Sequence, residues 1–182
     1  MADLVLYHSP GSRSERVRIA LELSGLPYSI RIPTESERSA AAYRALHPLG
    51  QVPLLLVDGQ PVIESAAQIL TIADLAPGDA LAPSVGTPER AQYYAWIIFG
   101  VATMEPTVNI WRHAQTETSR LDLIRCLTVV EDRLSGPWLL GERFTAADVL
   151  IGWGTGFCDR VGLLDGLPRC RAHAVRLSAM TT

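Results

Sequence analysis

Lysine is absent from the 182-residue chain; its 16 basic side chains are all arginine, scattered among 19 acids for a net charge of −3. With no basic block or stripe, nucleic acid is not an expected partner. Cysteine is scarce: Cys126, Cys158 and Cys170 make an odd number, 3, with no CxxC spacing. They define neither a disulfide framework nor a zinc site, and no metal is expected. Long apolar runs are missing as well. Stretches such as Leu54-Leu55-Leu56-Val57 and Ile97-Ile98-Phe99 fall far short of the roughly 20 residues that cross a bilayer. The opening Met1-Ala2-Asp3-Leu4 lacks the basic start and apolar stretch of a secretory signal, so a cytoplasmic protein is expected. What the chain does have is core material. Apolar residues make up 48% of it, enough for one large or two small domains that fold without staples.

The first half alternates strand and helix signals. Leu4-Val5-Leu6-Tyr7 is a short apolar run ended by Ser9-Pro10-Gly11-Ser12, a buried strand followed by a turn. From Ser14, Val17, Ala20, Leu21 and Ser24 recur at helical spacing until Gly25 and Pro27 stop the helix. Tyr28-Ser29-Ile30-Arg31-Ile32 alternates with period two, as a half-buried strand does. The stretch from Thr34 to Leu46 can hold a helix. Asp58-Gly59-Gln60 between two apolar runs predicts a β-hairpin. Ser65 then offers an N-cap for a helix through Ala66, Ile69, Leu70 and Ala73. The expected first domain is therefore β-α-β-α-β-β-α with a mixed sheet, over residues 1–77.

Three prolines and two glycines between Pro77 and Pro88 interrupt both periodicities, which predicts a linker over 78–88. Residues 89–182 carry only helical spacing and predict an all-α domain. Tyr93, Ile97, Val101 and Met104 mark one helix; Leu121, Ile124, Leu127, Val130 and Leu134 mark another. Pro106 should end or kink the first of these. No internal repeat or low-complexity tract is present.

Three places combine residue types that can carry chemistry. Pro53, in Leu49-Gly50-Gln51-Val52-Pro53-Leu54, reads either as an edge or turn proline or as a cis peptide. A cis Val52-Pro53 bond would turn the main-chain N–H and C=O of Val52 outward, forming an edge on which a short extended peptide could pair. Glu64-Ser65 lies where the last strand meets a helix, and free N–H groups with the helix dipole favour an anion there. Ser65 can hold a carboxylate and Glu64 an ammonium; the alternative is an N-cap beside a solvated charge. Ser9-Pro10-Gly11-Ser12-Arg13-Ser14 places serines at another helix N-terminus. They act either as caps or as donors to a thiolate, aided by the dipole and by Arg13 or Arg16. Lowering a thiol pKa from about 8.5 to about 6.5 takes roughly 2.7 kcal/mol and raises the thiolate fraction at pH 7 from about 3% to about 75%. A charge-assisted hydrogen bond plus a helix terminus supplies that much.

Other motifs read as structural. Thr145-Ala146-Ala147-Asp148 has capping-box spacing, with Phe144 and Val149 placed as a hydrophobic staple. Gly152, Gly154 and Gly156 alternate, which suits close helix packing rather than phosphate binding. Tyr7 is expected to pack beside the first strand, and His8 and His47 to be surface or hydrogen-bonded structural groups.

In order and spacing, four segments resemble the cytosolic glutathione transferases, in particular bacterial members with a serine-type first loop. They are Leu6-Tyr7-His8-Ser9-Pro10-Gly11-Ser12-Arg13-Ser14-Glu15-Arg16-Val17-Arg18, Pro48-Leu49-Gly50-Gln51-Val52-Pro53, Glu64-Ser65, and Phe144-Thr145-Ala146-Ala147-Asp148. The resemblance spans about residues 3–168. It implies a thioredoxin-like first domain, a cis-proline at Pro53, glutathione as cosubstrate, detoxification of small electrophiles and a homodimer. By the same resemblance Glu64 and Ser65 bind the γ-glutamyl end, and Val52, between Gln51 and Pro53, pairs with the cysteinyl part. Alignment on Pro10-Gly11 selects Ser12 as the catalytic hydroxyl, with Ser14 and Ser9 as alternatives. Arg13 stands where the bacterial cysteine-dependent class carries its cysteine, so a mixed-disulfide mechanism is not expected. Relatives continue for roughly 20 further residues, and the acceptor pocket is expected from Met104, Val108, Trp111 and Arg112. Isomerisation or peroxide reduction would use the same thiol with another acceptor. A non-catalytic glutathione-binding or protein-interaction module is the rival from another class. A thioredoxin-type redox protein is disfavoured, because the first loop lacks the two thiols that chemistry needs.

Overall fold

The computed structural model describes residues 2–181. The chain divides into two units, Met1–Gly78 and Asp79–Thr182. The first contains β1 (Leu4–Tyr7), α1 (Ser14–Ser24), β2 (Ser29–Arg31), α2 (Glu35–Ser39), α3 (Ala41–Leu46), β3 (Leu54–Val57), β4 (Gln60–Val62) and α4 (Ser65–Leu75). Strand order is β2-β1-β3-β4, with β2 parallel to β1 and the other two pairings antiparallel. This is the expected mixed sheet. The expected middle helix is two short ones, because Ala40 between them is extended at φ −68°, ψ 148°.

Burial follows the periodicities. Leu4 and Leu6 of β1, Val17, Ala20 and Leu21 of α1, Leu54 and Leu55 of β3, and Ile69 and Ile72 of α4 form the core of this unit. Each large aliphatic side chain so enclosed contributes about 1.5–3 kcal/mol. α1 stops where Gly25 takes the left-handed conformation at φ 69°, which a side chain disfavours. The hairpin turn has Asp58 at φ 50° and Gly59 at φ 79°, with Val57 paired to Gln60, the two-residue geometry that matches strand twist. Gln60 thus opens β4 rather than belonging to the turn. β2 departs from expectation: all three of its residues are exposed. It is one of the two edge strands of the sheet, and its alternating pattern finds no cover.

The second unit is helical: α5 (Pro88–Phe99), a single π-type turn (Gly100–Met104), α6 (Glu105–Ala114), α7 (Glu117–Arg133), α8 (Ala146–Arg160) and α9 (Pro168–Ala179). Pro106 does not end the helical path. It lies in the first turn of α6, where no intrahelical donor is required, and the widened turn before it absorbs the mismatch. In α7 the buried stripe is Leu123, Cys126, Leu127 and Val130, and it continues to Leu134, whereas Leu121 is 44% exposed. Glycines let α8 approach its neighbours: a Cβ on Gly152 would sit 2.6 Å from Leu177 Cδ2, and one on Gly154 would collide with the Met104 methyl. Gly156 has no such close contact.

Thr145 and Asp148 form the expected capping box, and Asp148 does more than cap. It is fully buried, and its Oδ2 accepts the Thr145 N–H at 2.8 Å and the Thr145 hydroxyl at 3.1 Å. Its Oδ1 accepts the Leu139 N–H at 2.8 Å and lies 3.0 Å from His173 Nε2. One carboxylate therefore ties the start of α8 to the preceding loop and to α9.

All three cysteines are buried thiols. Burial pushes Cys126 up to about 11 and Cys158 up to about 12. It raises Cys170 too, with Glu131 adding to the effect. Since the thiolate is the reactive form, native protein at pH 8 should give almost no colour with Ellman's reagent and three equivalents in guanidinium chloride. Rapid native labelling of even one would contradict this packing. Among the described residues no helix is long and apolar enough to cross a membrane.

Candidate active site

Three loops of the first unit are tied together by two buried polar side chains. The helix stripe of α1 includes Arg16, which is 3% exposed. Its Nε donates to Ser65 Oγ at 2.9 Å, and its Nη2 donates to the same oxygen. This joins the start of α1 to the start of α4. On α4, fully buried Gln68 donates from Nε2 to the Pro53 carbonyl at 3.0 Å and the Val62 carbonyl at 2.8 Å. The Val52-Pro53 loop and the end of β4 are thereby fixed to the same helix. Tyr43 adds a strut, its hydroxyl donating to the Gln51 carbonyl at 2.8 Å, and burial pushes that phenol up to about 12.

Ser65 was expected as an N-cap. It is instead the first residue of α4, and Glu64 holds the cap position without a side-chain capping bond. The first intrahelical bond runs from Gln68 N–H to the Glu64 carbonyl, so the N–H groups of Ser65, Ala66 and Ala67 lie ahead of the ladder. With both lone pairs of the Ser65 hydroxyl engaged by Arg16, its own proton is left to donate. A free hydroxyl proton beside unbonded helix amides is suited to a carboxylate. Glu64 is exposed and adopts φ 68°, ψ 114°, a conformation that costs a non-glycine residue about 1–3 kcal/mol and clusters at ligand sites.

The Val52-Pro53 peptide is cis, the sharper of the two expectations for Pro53. The pairing of β3 with β1 begins at Leu54, which leaves half-buried Val52 and exposed Gln51 outside the ladder. Gly50 is required in this loop. It stands at φ 62°, and a Cβ there would lie 2.7 Å from the Arg38 carbonyl oxygen.

The serine loop resolves into unequal members. Ser14 is fully buried. Its Oγ receives the Ser9 N–H at 2.9 Å and lies 2.7 Å from Ser12 Oγ, 2.8 Å from His8 Nδ1 and 3.0 Å from the Ser9 carbonyl. Those partners fill its hydrogen-bonding capacity and enclose it. Ser9 supplies main-chain groups to the loop. Ser12 is half-buried, its hydroxyl 2.7 Å from the Ser9 carbonyl, and is the loop hydroxyl that is both anchored and accessible.

On the helical unit, Val108 and Trp111 are half-buried and Arg112 is exposed. Trp111 meets Phe157 edge-on with centroids 6.5 Å apart, and the Arg112 guanidinium lies 5.4 Å from the same ring. Met104 is 2% exposed, its methyl filling the space that Gly154 vacates. It is a packing residue rather than a pocket wall. Sequence reasoning missed the anchoring by Arg16 and Gln68, although each is a polar residue on an otherwise apolar helix stripe and could have been noticed on that ground.

A four-stranded β2-β1-β3-β4 sheet with a cis-proline leading into β3, followed by a helical unit, defines a thioredoxin-type domain joined to an all-α domain. The family model described as glutathione S-transferase, N-terminal domain, matches residues 6–80. Glutathione S-transferase GST-4.5 of Xanthomonas campestris pv. campestris is 30% identical, over 96% of this chain and 92% of its own length. A maleylacetoacetate isomerase of Pseudomonas aeruginosa is 36% identical over 84% of this chain and 71% of its own. The crystal structure of a glutathione transferase homolog from Sulfitobacter with bound glutathione is 27% identical, with a TM-score of 0.81 over 98% of this chain and 94% of that one. The chain belongs to the glutathione S-transferase family.

Proposed function

We propose that the protein binds glutathione in its first unit and transfers the thiolate to small electrophiles. The observation that carries this reading is the Arg16–Ser65 bond, which leaves the Ser65 proton free beside the open amides of α4. The Ser65 hydroxyl and these amides receive the glutamyl carboxylate, and Glu64 receives its ammonium. Val52, flanked by Gln51 and cis-Pro53, pairs through its main chain with the cysteinyl residue. Ser12 donates to the sulfur at the N-terminus of α1, where hydrogen bond and dipole favour the thiolate. The electrophile's bond to sulfur forms while glutathione is held there as the thiolate. Detoxification in the cytoplasm, as a homodimer, completes the reading. The isomerase among the relatives favours a second one, in which the same thiolate adds reversibly to a conjugated alkene.

The test is calorimetric titration with glutathione near pH 7 in buffers of different ionisation enthalpy. The expected result is binding with release of close to one proton, and at least about ten-fold weaker binding by Ser65→Ala, which loses a hydrogen bond to a charged group. Binding without proton release would favour a carrier or regulatory module. Absence of binding would remove the glutathione assignment.

A further inference from the structure

The serine loop contains a buried histidine that this reading leaves unused. His8 is 5% exposed, and its Nδ1 lies 2.8 Å from Ser14 Oγ, which is 2.7 Å from Ser12 Oγ. Across the ring, Nε2 is 3.7 Å from Glu15 Oε1. Burial alone would raise the Glu15 pKa, but hydrogen bonds from Arg18 and the Gly11 N–H, with the charge of Arg18, hold it below its ordinary value. Glu15, His8, Ser14 and Ser12 thus form a continuous line that ends at the accessible hydroxyl.

Counting protons gives that line a direction. A carboxylate facing Nε2 selects the ring form with its proton on that nitrogen, leaving Nδ1 as an acceptor. Ser14 then donates its single proton to His8. One Ser14 lone pair holds the Ser9 N–H at 2.9 Å, so the other is left for Ser12. Ser12 Oγ also receives the Ser14 N–H at 3.2 Å. The Ser14 N–H therefore holds the Ser12 oxygen, while the single Ser12 proton rests on Ser14 or the Ser9 carbonyl until a ligand takes it.

We propose that His8, acting through Ser14, is a positioning residue for Ser12: by accepting the Ser14 proton it fixes the Ser14 side chain and with it the loop whose Ser14 N–H holds Ser12 Oγ, so that the Ser12 hydroxyl stands where its proton can turn from Ser14 to the bound thiolate. The inference rests on the role of Ser12 proposed above. Without His8, the Ser14 proton turns to the Ser9 carbonyl, 3.0 Å away, and the Ser14 side chain loses the buried partner that fixes it beside Ser12.

The experiment compares wild type, His8→Leu, His8→Asn, Ser14→Ala and Ser12→Ala by ultraviolet titration of the bound glutathione thiolate and by kinetics with chlorodinitrobenzene. His8→Leu should raise the bound thiol pKa by about one unit and lower kcat about five- to ten-fold at pH 7, with KM for glutathione within about two-fold. His8→Asn, whose side-chain oxygen can replace Nδ1 as acceptor, should recover most of the loss. In the Ser12→Ala background His8→Leu should add nothing, since the two act as a unit. An unchanged thiol pKa in His8→Leu, or an equal loss with and without Ser12, overturns the proposal. If His8→Leu does not fold, Ser14→Ala carries the same expectation and the same refutation. A thiol pKa unmoved by Ser12→Ala would instead overturn the reading of Ser12 itself.

Discussion

Replacing Ser12 with alanine should return most of about two units to the pKa of bound glutathione, cutting its thiolate fraction at pH 7 from about 75% to about 3%. Ser12 is the half-buried member of a loop whose other well-bonded hydroxyl, Ser14, is sealed. Its removal therefore takes away the direct donor while the loop's inner bonds to Ser9 persist. Thiolate absorbance at pH 7 should fall by up to about 25-fold at saturating glutathione, and the deficit should close as pH rises past about 8.5. Turnover should drop less than absorbance, because a more basic thiolate is the stronger nucleophile. Glutathione affinity should stay within several-fold, since Ser65 and the α4 amides are untouched. If absorbance and turnover both match wild type across this pH range, Ser12 is not the activating group.

Asp148→Ala should be the most damaging substitution for stability. The carboxylate is fully buried and serves the Thr145 N–H and hydroxyl, the Leu139 N–H and His173 Nε2. Alanine leaves those donors enclosed without an acceptor, and breaking such a buried arrangement from one side costs about 3–5 kcal/mol. For a chain of this size the midpoint of thermal unfolding should fall by roughly 6–20 °C. Thr145→Ala removes one hydroxyl and leaves the carboxylate with its other partners, for a smaller loss of about 0.5–2 kcal/mol. Guanidinium unfolding of both variants checks the ranking. A loss below about 1 kcal/mol for Asp148→Ala would show that the α8 start and α9 do not depend on this group.

The elements that could be read in the sequence are those whose signals are local. The αL glycine after α1, the Asp58-Gly59 hairpin and the Thr145 capping box depend on a few adjacent residues, and each appears where its chemistry predicts. Misreadings occurred where burial is decided by distant chain. β2 alternates like a half-buried strand but is an uncovered edge. Leu121 follows the helical period of α7, yet the buried face passes through Leu123 and Cys126. Pro106 is a separate, local case: the helical path changes form at the π-type turn just before it, which places the proline in the first turn of α6, where its missing N–H costs nothing.

The candidate site divides the same way. Glu64-Ser65, Val52-Pro53 and the serine loop could be singled out from residue type and position, because each lies where an element begins and main-chain groups are left unpaired. Their order along the chain also carried the family resemblance. Arg16 and Gln68, which join these segments, act across 49 and 15 residues of chain, a separation at which no local period operates. The three serines likewise differ through burial, which seals Ser14 against His8 and leaves Ser12 half-buried. Sequence alone determined which residue types stand at the ends of strands and helices, since propensity and capping are short-range. Only the tertiary structure decided which of their protons remain free for a ligand, because that is set by partners that folding brings together.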